Sequence, residues 1–306
     1  MTGNNELEEQ QKENQKTNLL IKNNLKILKN EEENSDYFSQ QIIFNRNHFH
    51  EYFDTQAYLK DFYSKLEDPA MQLILFHLPS IIARLPTKIN NLLDFGSGPT
   101  IYVAICFREK AENIFLSDYL PQNKKELNNW LSGNSNFDWT KIFKLIAVYE
   151  ALPLPTDIVK MEKTTKDKVR GILHCDCHIS PAIQLSPQIY FDAITTFLTI
   201  EYCCLNREEY TNALKRLSAI LAPQGLLIMG GILEETWCAF GGRRFSCLYI
   251  DREFLLNCLN EAGLEIFKDS IGTKLFYECD GMFLLVAKKV MKEENFEEEN
   301  IFRIKG

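Results

Sequence analysis

No stretch of this chain approaches the roughly twenty consecutive apolar residues that span a bilayer, and no basic start leads into the apolar core of a secretion signal. Neither membrane nor export is therefore expected, and the cytoplasm is the default. Positive charge is also short. Against 34 Lys and Arg stand 42 Asp and Glu, a net charge of -8 and the wrong sign for a nucleic-acid or anionic-lipid partner. With 14 Gly and 10 Pro, collagenous and low-complexity readings are excluded. The 9 Cys, an odd number scattered through apolar segments, suit free thiols in a reducing compartment, and the vicinal Cys203 and Cys204 are not expected to bridge.

What is present is enough for one large α/β core: 306 residues, 45% apolar. The charge is unevenly placed. Residues 1–36 carry eight acids against five lysines, and residues 291–306 carry five Glu against three basic residues. Both ends are expected to be polar tails, the first disordered, with only Leu19 to Leu28 able to form a short amphipathic helix. A single near-neutral domain is left over 37–290.

From Asn90 onward, short apolar runs alternate with longer helical segments. Strands are expected at 92–95, 113–117, 171–175, 191–197, 226–229, 264–267 and 282–287, with helices over 100–109, 122–131, 207–221 and 251–262. That rhythm predicts a mostly parallel, seven-stranded sheet with helices on both faces, its last two strands forming an antiparallel hairpin at the edge. Residues 151–168 and 232–250 break the rhythm and read as insertions. Residues 37–85 are helical and aromatic. All three are candidates for a lid over the carboxyl ends of the strands, where open α/β sheets bind ligands.

Asp94-Phe95-Gly96-Ser97-Gly98 closes the first strand, and glycines there let the backbone approach a ligand while the next helix offers free N–H groups. A dinucleotide fingerprint would need a third glycine where Ile101 stands, and no Gly-Lys-Ser/Thr of a P-loop follows. Instead, Asp118 ends the second strand, twenty residues beyond Gly98, suited to two ribose hydroxyls. Asp176 ends the third strand, where it could take an adenine amino group. Taken alone, the glycine turn could also be a tight turn without a ligand.

These runs, with Gly98-Pro99-Thr100-Ile101-Tyr102, Ser117-Asp118-Tyr119, Gln122-Asn123, Trp130-Leu131 and Phe137-Asp138-Trp139, resemble the small-molecule family of nicotinamide, phenylethanolamine and indolethylamine N-methyltransferases. The likeness runs from about Tyr52 to Lys288. It implies a Rossmann-like class I methyltransferase fold with an N-terminal helical lid and an insertion after the fifth strand, S-adenosyl-L-methionine as cofactor, and S-adenosyl-L-homocysteine as product. It also implies that Tyr58, Tyr63, Gly96, Gly98, Thr100 and Tyr102 enclose the methionine part, with Ser97, Tyr119 and Leu198 also binding the cofactor. Asp118, with Asn123 close by, would bind the ribose, and Asp176 and Cys177 the adenine. The family has Tyr where this chain has Phe62.

For the substrate, Gly230-Gly231-Ile232-Leu233-Glu234-Glu235-Thr236-Trp237 is similar to the phenylethanolamine branch, and Glu201 matches an acidic position there. The resemblance implies a small aromatic or arylalkyl amine held and deprotonated by Glu235 and Glu201, because a protonated amine must lose a proton before it can attack a sulfonium methyl. That branch carries a further Asp where this chain has Tyr277 or Glu278. A pyridine N-methyltransferase is the alternative, and a cofactor-binding regulatory protein or a dinucleotide oxidoreductase stands further off. The expected partner is the small-molecule amine alone, with no nucleic acid and no membrane, acting on a monomer.

His174-Cys175-Asp176-Cys177-His178 invites a metal assignment. On a continuous strand, however, the two cysteines face one way and the other three residues face the other, so no metal site is expected. Glu234 and Glu235 could equally be solvated turn acids. Gly241-Gly242-Arg243-Arg244 reads as a hairpin turn.

Overall fold

The computed structural model describes residues 42–85, 88–153 and 157–290. The expectations for residues 1–36 and 291–306 lie outside the described residues. The frame is a sheet with strand order β10-β11-β6-β5-β2-β3-β4, in which β2 (Ile89–Phe95), β3 (Ala111–Asp118), β4 (Val169–His174), β5 (Phe191–Phe197) and β6 (Leu221–Ile232) run parallel. The long strand β11 (Met282–Lys289) is antiparallel to β6. Its first half pairs with β10 (Phe276–Cys279) and its second half with β9 (Leu264–Ile266).

Alternation along each strand sends neighbouring side chains into two separate cores. Leu92, Ala193 and Ile228 join the layer built with helices α3 (Pro69–Arg84), α4 (Tyr102–Phe107), α6 (Thr140–Tyr149) and α7 (Ile158–Lys168). Leu93, Ile194 and Leu227 join the layer of α9 (Arg207–Ile220) and α10 (Arg252–Glu261). Both faces being covered, these strands are near-continuous apolar runs, which is why they stand out in the sequence. The chain winds outward from β2 to β3 and β4, then returns to β5 on the other side of β2. That reversal opens a crevice at the carboxyl ends of β2 and β5.

The structure differs from the pattern reading at four places. Residues 151–168 are not a lid insertion: α7 packs on α4, β3 and β4, with Met161 and Thr165 buried, and serves as the crossover into β4. Helix α6 was not expected, although Ile142, Phe143, Ile146 and Ala147 form one buried stripe at helical spacing. The Pro223-Gln224-Gly225 turn lies inside β6 as a bulge, the register jumping from Phe191↔Leu221 to Ala193↔Leu226, so the missing Pro N–H costs no ladder bond. Strand β10 reaches β11 through Asp280 and Gly281, both at positive φ, a two-residue hairpin whose Asp-Gly signal was present in the sequence. The anticipated antiparallel pairing of 264–267 with 282–287 is also seen, as β9 with β11.

Part of the N-terminal segment does form a roof. β1 (Ile43–Phe44) pairs parallel with β8 (Arg243–Ser246), which pairs antiparallel with β7 (Trp237–Phe240) through the expected Gly241-Gly242 turn. This small sheet, α1 (Phe49–Tyr52) and α2 (Thr55–Tyr63) share a third, aromatic core around Phe44, Phe240 and Phe245. Helix α3 belongs elsewhere. It buries Ile74, Leu75, Leu78 and Ile81 in the sheet layer, so the roof ends near Tyr63 rather than at residue 85.

Helices α4 and α6 are clamped by Arg108, a buried guanidinium that donates to Ile105 O at 2.7 Å and Glu150 Oε1 at 2.9 Å, with a second bond to Glu150 Oε2. Glu150→Gln removes the close countercharge and leaves the buried guanidinium only the longer, 3.9 Å pairing with exposed Glu109. Urea denaturation should show a loss of about 3 kcal/mol; no loss would mean that the pair does not hold the layer.

Candidate active site

A cavity of about 520 Å³ fills the crevice between the strand ends and the roof. Tyr58, Tyr63, Gly96, Ser97, Gly98, Thr100, Tyr102, Asp118, Tyr119, Asn123, Asp176, Cys177 and Leu198 all line it, so residues spread over 141 positions of sequence meet at one surface.

The floor is the glycine turn. Gly96 and Gly98 have φ of +73° and +60°. At Gly96 a Cβ would come 2.2 Å from Thr199 Cγ2, because the loop after β5 is pressed onto the turn and Thr199 Oγ1 donates to Gly96 O at 3.1 Å. At Gly98 a Cβ would meet nothing within 4 Å, so only the backbone conformation asks for glycine there. Thr100 closes the turn, its Oγ1 donating to Ser97 O at 2.8 Å.

Two aspartates anchor this floor. Asp94 Oδ1 accepts from Thr195 Oγ1 at 2.8 Å, while its buried Oδ2 has no partner among the described residues. Burial pushes the Asp94 carboxyl up to about 7 despite the Thr195 bond. Asp118 is fully engaged: Oδ2 accepts from the Gly98 N–H at 2.9 Å, and Oδ1 from the Leu120 N–H at 2.8 Å and Asn123 Nδ2 at 3.2 Å. Burial raises this carboxyl too, and the bonds from Leu120, Asn123 and Gly98 oppose the rise.

The roof is latched to the floor through one face of α5 (Pro121–Leu131). Thr55 Oγ1 donates to Asn123 Oδ1 at 2.9 Å, Gln122 Nε2 to Phe49 O at 3.2 Å, and Gln56 Nε2 to Glu126 Oε2 at 3.1 Å. Above the cavity the aromatic side chains form one mass. Phe53 lies 5.3 Å from Tyr58 and 5.1 Å from Phe240, and Phe240 stacks on Phe245 at 4.4 Å. The aromatic density near Tyr52 is visible in the sequence, but no local pattern shows that Phe240 and Phe245, nearly two hundred residues away, complete the roof. Phe62 joins the same mass and lines the cavity, an apolar ring where the resembled family carries a tyrosine.

The two glutamates assigned to the substrate do not line the cavity. Glu201 lies just behind the wall in α8 (Ile200–Cys203), buried, with Oε1 accepting from the Ile232 N–H at 3.2 Å and Oε2 without a partner among the described residues. Burial pushes it up to about 7. Gly231 makes room for it, since a Cβ there would come 2.6 Å from Glu201 Oε1. Its neighbours Tyr202 and Ile232 do face the cavity. Glu235 is exposed in the turn before β7. Both carboxylates act on the Cys247 thiol, which is raised first by burial and then by Glu201, Cys238 and Glu235. The position where a further acid was sought is remote: Tyr277 stacks on His77 and accepts from Arg84 Nη2 at 2.6 Å, and Glu278 pairs with Arg252.

At the far end of the cavity, Asp176 Oδ1 accepts from the His178 N–H at 2.8 Å. Hydrogen bonds from the Cys203 and Cys204 thiols hold the adjacent Cys177 far below the usual thiol range. Arg46 and His178 reach the same wall, and neither carries a local sequence signal for a place there.

Residues 40–290 match the NNMT/PNMT/TEMT family. The chain is 37% identical over 248 residues to the nicotinamide N-methyltransferase of Caenorhabditis elegans, covering 78% of this chain and 89% of that protein. It is 30% identical over 250 residues to the indolethylamine N-methyltransferase of Mus musculus, covering 78% and 93%. With the phenylethanolamine N-methyltransferase of Rattus norvegicus it shares 28% over 178 residues, covering 57% and 62%.

Gly96→Ala and Gly98→Ala separate steric from conformational need. The first adds a clash with Thr199 to the strain of positive φ and should cost about 3 kcal/mol in urea denaturation; the second should cost about 1 kcal/mol. Equal costs would contradict the packing of the β5 loop against the turn.

Proposed function

This chain belongs to the NNMT/PNMT/TEMT family and is an S-adenosylmethionine-dependent N-methyltransferase, and on that premise we propose that it methylates the nitrogen of a small aromatic or arylalkyl amine, with Glu201 as the proton acceptor. The observation that carries the substrate class is the aromatic roof. Phe53, Tyr58, Phe62, Phe240 and Phe245 offer flat apolar faces to a ring held against the floor.

The cofactor fits the residues present. Beside the cavity-lining Gly98 the turn leaves open space, a Cβ there meeting nothing within 4 Å, and Asp94 Oδ2 is a buried acceptor in need of a donor, suited to the ammonium of the methionine end. In this assignment Tyr58, Tyr63, Thr100, Tyr102 and Leu198 enclose that end. Asp118, with Tyr119 and Asn123, takes the ribose hydroxyls, and Asp176 with Cys177 takes the adenine. When bound, the cofactor supplies an electrophilic sulfonium methyl.

The chain's own work is alignment, exclusion of water and handling of one proton. The roof, tied to α5 by Thr55, Gln56 and Gln122, holds the nitrogen donor in line and keeps water out. An ammonium must give up a proton before its lone pair is available. Glu201, buried behind the Ile232 wall with one oxygen unpartnered among the described residues and raised to about 7, is matched to accepting that proton near neutrality through an intervening water. Glu235, exposed and outside the cavity lining, is assigned the long-range attraction of the cation rather than the proton step. A second reading is favoured by that exposure: a pyridine nitrogen carries no proton at neutral pH and needs neither glutamate.

A methyl-transfer screen over arylalkyl amines and pyridines, using wild type, Glu201→Gln and Glu235→Gln, tests the assignment. Only the carboxylate form of Glu201 accepts a proton, so amine turnover by wild type should rise with pH through about 7. Glu201→Gln should lose about 100-fold in kcat/KM and that rising limb, and Glu235→Gln about tenfold, with S-adenosylhomocysteine affinity little changed in both. Amine turnover by Glu201→Gln at wild-type rate, or turnover of pyridines alone, would overturn it.

A further inference from the structure

Strand β4 stops at His174, and the chain then turns instead of continuing extended. The Asp176 N–H donates to Ala182 O at 3.0 Å, and the His178 N–H to the Asp176 carboxylate at 2.8 Å. The alternation that would keep Cys177 and His178 on opposite faces is thereby cancelled. Both side chains come to the end of α8, where Cys204 caps the helix. Cys177 Sγ, a His178 ring nitrogen and Cys204 Sγ all lie within 4.8 Å of one another. Cys203 adds a fourth donor in contact with Cys177.

We propose that Cys177, His178 and Cys204 form a binding site for a soft d10 cation of the zinc type, with Cys203 or a water molecule in the fourth position. The donor set is the argument. Two sulfurs and an imidazole suit such a cation far better than calcium or magnesium. Tetrahedral zinc, with Zn–S near 2.3 Å and Zn–N near 2.0 Å, sets its donors about 3.5 to 3.8 Å apart, so side-chain adjustments of about 1 Å close the present spacing. A partner for the other ring nitrogen is already in place: His178 Nε2 lies 3.0 Å from Cys203 O, the kind of carbonyl that orients a ligating histidine. Arg46 Nη1 lies 2.6 Å from the same nitrogen and 3.3 Å from Nδ1 and donates to the same carbonyl at 2.9 Å, so it must draw back toward Glu209 for Nδ1 to take a metal and Nε2 to donate to Cys203 O. Glu209 neutralises Arg46 with two bonds, at 2.7 and 3.3 Å. Both sulfurs bind as thiolates, any proton still on them passing to solvent, and with water in the fourth position two thiolates and one divalent ion carry no net charge.

The site is not separate from the catalytic cavity. Cys177 and His178 line it next to Asp176, so an ion held there occupies the end assigned above to adenine, and this consequence rests on that assignment. Metal and cofactor then antagonise each other, and the coupling is reciprocal.

The direct test titrates Co²⁺ into the reduced full-length chain without cofactor. One equivalent should produce a thiolate-to-cobalt charge-transfer band that Zn²⁺ abolishes. Cys204→Ser and His178→Ala should each weaken Co²⁺ binding by at least about tenfold. One equivalent of Zn²⁺ should also lower S-adenosylhomocysteine affinity at least tenfold in wild type but not in Cys204→Ser. Absence of the band, or a band unchanged in Cys204→Ser, would overturn the site. Stoichiometric Zn²⁺ binding with unaltered S-adenosylhomocysteine affinity would overturn the antagonism and the adenine placement while upholding the metal site.

Discussion

One buried carboxylate holds the catalytic end of the molecule together. Asp118 receives the Gly98 N–H from the turn after β2, the Leu120 N–H at the start of α5, and the Asn123 side chain one turn further along that helix. Three donors converging on one acid set the spacing between two strand ends and one helix start. They also offset the desolvation that pushes this carboxyl upward. Asn123 passes the constraint on, because its amide oxygen accepts from Thr55 at the first turn of α2. Floor, helix and roof are in this way linked through a single anion.

That linkage gives the cavity its two unlike walls. The floor is polar backbone and carboxylate, and the roof is stacked aromatic rings, brought together from opposite ends of the chain by the parallel pairing of β1 with β8. A charged, hydrogen-bonding cofactor suits the first wall and a flat apolar substrate the second. The reacting nitrogen would lie between them, near Tyr202 and Ile232, with Glu201 directly behind. Asp94 and Glu201 are both buried, and each has one oxygen without a partner among the described residues. Unsatisfied acids of this kind cost stability and are characteristic of places where a ligand completes the structure.

The sheet was legible in the sequence because its strands are buried on both faces and punctuated by turn residues, and the glycine turn with Asp118 was legible because it is contiguous or regularly spaced. Other features depend on contacts that no local pattern carries. The bulge at Gly225 depends on where Phe191 pairs, and the aromatic roof on Phe240 and Phe245 meeting Phe53. Helix α6 and strand β10 do carry local signals, a helical stripe and an Asp-Gly turn. For Cys177 and His178 the alternation rule applied to a strand that had already ended. Glu235 illustrates the reverse: the run around it is a clear likeness, yet the side chain lies exposed outside the cavity wall.

The most direct measurement is the affinity of Asp118→Asn for S-adenosylhomocysteine by isothermal titration, with far-ultraviolet circular dichroism to confirm the fold. An amide keeps the shape but loses the charge and one acceptor, so the turn and the ribose contact proposed for it should weaken together. The account predicts an affinity loss of about 100-fold, or about 3 kcal/mol, with secondary structure retained. Binding within twofold of wild type would contradict it.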